Sequence, residues 1–167
     1  EISRRAGQGI EKEADTFAAY LLMPLHDFRR MIDPKSKPDF EKFALVARRF
    51  GVSLMATILR WLEFTETRAI FIVSRDGFML WAKVSEAAYR SGRYFRTRQE
   101  TIELPHLARC TIGPLDNEAK SGVAHPSGIW FDEPVEEMSM AAEGVDMIFT
   151  ILHLPNSDRI NRSRYRR

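Results

Sequence analysis

The chain has 167 residues, 44% apolar and 29% charged, with a formal net charge of +2, a balance that favours no particular charged partner. Cys110 is the only cysteine, which excludes an intrachain disulfide and fits a reducing compartment, with the cytoplasm as the default location. No apolar run approaches the ~20 residues that span a bilayer, and the start shows no signal-peptide pattern.

Residues 11–24 read Glu-Lys-Glu-Ala-Asp-Thr-Phe-Ala-Ala-Tyr-Leu-Leu-Met-Pro. On a helix, Asp15, Ala18 and Leu22 fall within roughly 40° of Glu11. Two carboxylates therefore stand beside the apolar stripe of Ile10, Ala14, Phe17, Ala18 and Leu21. An amphipathic helix ordinarily sends acids to the opposite face, because burying an unpaired charge is costly. Carboxylates on this side call for a partner, and a metal ion is one. Solvated acids favoured by the positive end of the helix dipole are the bland alternative. Glu13 projects about 160° from Asp15, toward solvent.

The pattern E-x-E-A-D-x-F-A-x-x-L-L-M-P resembles the second metal-binding helix of the ImmA/IrrE-like zinc metallopeptidases. In that family an earlier H-E-x-x-H helix supplies two zinc-binding histidines and a water-activating Glu, and the later helix supplies a third ligand. The resemblance implies that Glu11 binds Zn and that Asp15, one turn on, orients a ligand histidine. No H-E-x-x-H occurs in the 167 residues; His26, His106, His125 and His153 are too scattered. The expectation is a C-terminal portion of a longer protein, inactive alone because its histidine helix is missing.

Pro24 is expected to open the next helix, with Leu25, Phe28, Met31 and Ile32 at helical spacing. A Pro-broken loop spans residues 33–38. Asp39 then reads as the N-cap of a helix burying Phe40, Phe43, Ala44 and Ala47, which Gly51 closes. Ser53 caps a further helix carrying Leu54, Met55, Ile58, Leu59 and Leu62. This helix–Gly–helix unit has the outline of a DNA-binding helix-turn-helix. Its second helix offers only Arg60 to a base or phosphate, so a packing pair is the preferred reading. The F-G-V-S stretch at this distance after L-L-M-P also resembles the peptidase domain of the same family.

From Thr67 the pattern turns to strands. Residues 69–73 and 78–82 flank Ser74-Arg75-Asp76-Gly77 as a hairpin. A short helix is expected over 86–90, and further strands over 102–104, 128–131, 135–141 and 147–154. Alternation over 136–141 separates no inside from outside. Arg90, Arg93, Arg96 and Arg98, interleaved with Tyr89, Tyr94 and Phe95, read as an edge strand with inward rings; a single-stranded nucleic-acid surface is the less favoured alternative. Glu133, Glu136 and Glu137 read as a solvated face, Cys110 as a structural thiol, and His26 as a capping or surface residue.

The expected fold class is α+β. Residues 1–66 would be the helical remnant of a zincin-like peptidase domain, and 67–155 a small mixed domain with antiparallel strands. Residues 156–167, rich in Arg159, Arg162, Arg164, Arg166 and Arg167, would form a basic, disordered tail. The resemblance extends to V-S-R-D-G-F-M-L-W-A and W-F-D...E-M-S-M, and implies a protein substrate, a DNA-binding repressor. The rival expectation is a non-enzymatic regulatory module, helix-turn-helix-like or sensory, that binds a protein partner or DNA.

Overall fold

A computed structural model describes residues 22–156. Glu11, Glu13, Asp15 and the Arg-rich tail lie outside the described residues. Within them the chain is α+β, with five helices and one antiparallel sheet of five strands.

Helix α1, Leu25–Met31, buries Phe28 and begins after Pro24, which holds the N-cap rather than the expected first helical position. Helix α2, Phe40–Phe50, starts where Asp39 Oδ1 accepts the Lys42 N–H at 2.8 Å. Gly51 ends it at φ 66°, the left-handed geometry a glycine adopts without strain. Helix α3, Leu54–Leu62, begins where Ser53 Oγ accepts the Ala56 N–H at 3.1 Å.

Strands β1, Ala69–Arg75, and β2, Phe78–Val84, form the hairpin. Asp76 and Gly77 turn it, both with positive φ (52° and 82°), as a tight two-residue hairpin turn requires. The register shifts after Val73, which pairs with Trp81 while Ser74 pairs with Met79. Leu80 is thereby left as a bulge residue, turned outward. The chain continues through α4 (Glu86–Arg90), α5 (Asn117–Ser121), β3 (Val123–His125), β4 (Val135–Ala141) and β5 (Ile148–His153).

The sheet runs β2-β1-β5-β4-β3, which puts β5 at its centre. Both faces are covered. Toward the helices, Phe71, Val73, Met138, Phe149 and Ile151 join Phe28, Phe43, Ile58 and Trp61 in one cluster. On the reverse, Ile70, Ile72, Val135 and Leu152 pack against Leu104, Ala108, Cys110 and Trp130, carried by the long excursion between β2 and β4. The boundary expected near residue 67 falls just before β1, and the first cluster runs across it without a break.

Several expected elements differ. Residues 102–104 make one isolated bridge, Phe78 to Glu103, and 128–131 form a turn in which Gly128 N–H donates to the Phe131 carbonyl at 2.6 Å. Residues 91–100 hold no strand: Phe95 stacks on Phe131, with centroids 5.2 Å apart, from irregular backbone. Helix α5 and strand β3, too short to carry a periodic pattern, were not anticipated.

Candidate functional site

The residues that the sequence assigns to a metal, Glu11 and Asp15, lie outside the described residues, as does Glu13. What is described is the platform that follows them. Met23 is fully buried, and its carbonyl accepts the Arg60 Nε–H at 3.2 Å, which ties the chain after the E-x-E-A-D motif to α3. Arg60 also donates to Glu63 at 2.6 Å.

This geometry bears on the helix–Gly–helix unit. Arg60, the one residue its second helix offered to a base or phosphate, is 5% exposed, and Trp61 is fully buried. Trp61 meets Phe43 edge-on at 5.2 Å and His153 of β5 at 5.7 Å. The face a recognition helix would turn toward a groove is packed on the sheet. The two helices are a packing pair, and His26 is exposed beside them.

The acidic run read as solvated is divided among three fates. Glu136 is half-exposed and pairs with Lys37 at 3.6 Å. Glu133 is buried against Arg68, whose Nη1 and Nη2 each donate to its carboxylate at 2.8 Å, while Arg93 Nε donates at 2.6 Å. Burial alone would push the Glu133 carboxyl up, but these two guanidiniums outweigh it and hold its pKa below the ordinary value. Arg68 Nε reaches Ser91 Oγ and its Nη1 the Pro155 carbonyl, so one ion pair joins the start of β1, the segment after α4 and the chain after β5. Arg93 also pairs with Asp132, so its guanidinium is not available to a nucleic acid.

Glu137 is fully buried on the reverse face of β4. Its Oε1 accepts the Cys110 N–H at 2.6 Å and Ser139 Oγ–H at 2.9 Å; its Oε2 accepts the Arg109 N–H and Trp130 Nε1–H, both at 2.9 Å. His125 Nε2 also stands 2.9 Å from Oε2, but out of line for a hydrogen bond. Ser139 shares a further bond with Thr150, extending the cluster to β5. Beside it, burial and the Glu137 charge push the Cys110 thiol up to about 12, leaving it protonated and a poor nucleophile. This is a fastening point for the excursion. A partial signal was legible: Val135, Glu137 and Ser139 share one strand face, although an apolar residue beside two polar ones does not read as buried.

Among the described residues no three His, Cys, Asp or Glu side chains converge as metal ligands. A zinc site therefore finds no donor set within 22–156. Also among the described residues, no helix is long and apolar enough to cross a membrane.

Residues 1–62 match the family model of the IrrE N-terminal-like domain, a peptidase family. The match takes in the whole E-x-E-A-D motif and ends at Leu62, the last residue of α3, short of the sheet. A peptidase relationship thus holds for the N-terminal segment. Specifically, the relationship is to the ImmA/IrrE-like peptidases. No curated protein matches the chain.

Proposed function

We propose that this chain is the C-terminal portion of a zinc-dependent endopeptidase, with Glu11 as the third metal ligand and Asp15 orienting a ligand histidine. The carrying observation is that the family match spans the whole E-x-E-A-D motif, whose spacing would set Glu11 and Asp15 one turn apart on a helix. The two histidines and the general-base Glu would come from an H-E-x-x-H helix that these 167 residues do not contain. The proposed substrate is a protein, a DNA-binding repressor. The sheet following α3 would serve substrate choice or regulation.

One carboxylate supported by a second acid cannot hold zinc tightly, because tetrahedral protein sites use three or four ligands. By calorimetry the chain alone is expected to bind zinc weakly or not at all. Joined to an H-E-x-x-H helix, it should take up zinc stoichiometrically. In that longer protein Glu11→Gln should abolish uptake, Asp15→Asn should weaken it roughly 10–100-fold, and Glu13→Gln should do little. A ranking with Glu13 above Glu11 moves the ligand by two residues; indifference to all three removes the metal role.

A second reading, a non-enzymatic regulator, is favoured by the absence of H-E-x-x-H from the 167 residues. Its DNA-binding form is disfavoured by the burial of Arg60 and Trp61. Cleavage of a repressor by the longer protein, lost with Glu11→Gln, separates the two.

A further inference from the structure

Where the loop before α2 crosses the ends of β3, β4 and β5, the surface opens into a pocket of about 380 Å³. Lys37 and Glu136 form its rim, 3.6 Å apart and each a little over two-fifths exposed. His125, His153 and Asn156 line it. Its volume lies at the lower end of the range for small-molecule sites.

His153 is the anomaly. It is 1% exposed, and neither ring nitrogen makes a well-aligned hydrogen bond, although the Pro38 carbonyl acts on the ring. Burial, reinforced by the Lys37 ammonium and opposed by the Pro38 carbonyl, lowers its pKa to about 3, so the ring is neutral near pH 7. A neutral imidazole offers one donor and one acceptor, and folded proteins rarely leave the two buried without well-aligned partners. The Trp61 Nε1–H of the neighbouring ring is also unpartnered.

The rim selects among ligand classes. A metal ion is disfavoured, since no three suitable donors converge among the described residues. A simple anion drawn to Lys37 meets Glu136, and a simple cation drawn to Glu136 meets Lys37. A molecule carrying both charges close together satisfies both.

We propose that this pocket binds a small zwitterion of the free amino-acid class, its carboxylate on Lys37, its ammonium on Glu136 and its remaining polar groups toward His153 and Asn156. Lys37 belongs to the loop between α1 and α2, within the segment related to peptidases, whereas Glu136 belongs to the sheet. The ligand would insert into the ion pair that joins them. Occupancy would then bias how the helical segment sits on the sheet, whether or not the segment serves a peptidase.

The test is nitrogen-detected NMR of the histidine rings in the full chain, titrated with the standard free amino acids. Acetate, ethylammonium and N-acetylglycine amide at matched ionic strength are the controls. At least one amino acid is expected to shift the His153 resonances saturably, with Kd below about 1 mM. Lys37→Met and Glu136→Gln, both at the surface and checked for unchanged melting, should each weaken that binding about tenfold or more. The proposal is overturned if no amino acid gives a saturable shift up to about 10 mM. It is equally overturned if acetate or ethylammonium alone reproduces the shift, or if both variants bind as the parent does.

Discussion

Glu137 receives four aligned hydrogen bonds in the core, three of them from groups of the β2–β4 excursion. A glutamine there has nearly the same shape but presents an NH₂ where an oxygen accepted, so at least one buried donor, the Cys110 N–H or the Arg109 and Trp130 pair, faces another donor. Glu137→Gln is expected to destabilise the chain by roughly 1–3 kcal/mol in urea unfolding, the cost of leaving a buried donor unmatched. A loss below about 1 kcal/mol would mean the excursion is held by its apolar contacts alone. His153 carries the pH dependence. In the unfolded chain its imidazole takes up a proton near pH 6.5, whereas in the fold it stays neutral to about 3. Between those values only the unfolded state binds the proton, so stability present above 6.5 declines as pH falls. The slope reaches about 1.4 kcal/mol per pH unit. His153→Gln should flatten that slope between pH 6.5 and 4.5 in unfolding curves taken across the range. Below about 4.5 the depressed Glu133 carboxyl adds a loss of the same sign as it protonates.

The helices and the hairpin are the elements whose limits could be read locally. Asp39, Gly51 and Ser53 act on backbone groups within three or four residues, so their roles survive without tertiary information. A Cβ built at Gly51 meets nothing within 4 Å, leaving only the left-handed backbone to oppose it. Gly51→Ala should therefore lower stability by about 1–2 kcal/mol, and Asp39→Ala by about 1 kcal/mol, each visible as a drop in melting temperature. A Gly51→Ala chain as stable as the parent would mean the α2–α3 joint relaxes out of that conformation. What sequence could not supply was partnership across distance. Strand β4 shows no inside and outside because both its faces are covered, one by Met138 against the helical core and the other by Glu137 and Ser139 against the excursion. Phe95 and Arg93 were legible as an aromatic–basic pattern, but not their destinations, Phe131 and the Asp132–Glu133 pair. The acids Glu11 and Asp15 were legible as a motif, and the family match supports that motif without describing their geometry.

At the scale of the molecule, the strand that completes the sheet is the last one made. Strand β5 lies between β1 and β4, pairing Ala69 with His153 and Met138 with Ile151. A chain ended after Gly144 would leave Ile70, Ile72, Met138 and their neighbours with an open apolar gap between two hydrogen-bonding edges. Such a chain is expected to aggregate on expression, and a soluble, cooperatively melting product would contradict the central role given to β5. The same order of strands governs birth on the ribosome. At roughly 5–20 residues per second, the hairpin of β1 and β2 emerges on the order of seconds before β5 can fill the gap beside it. During that interval β1, apolar on both faces, has one neighbour instead of two. The nascent chain is therefore a natural client for holding chaperones, and slowing translation between β4 and β5 should lengthen its dependence on them.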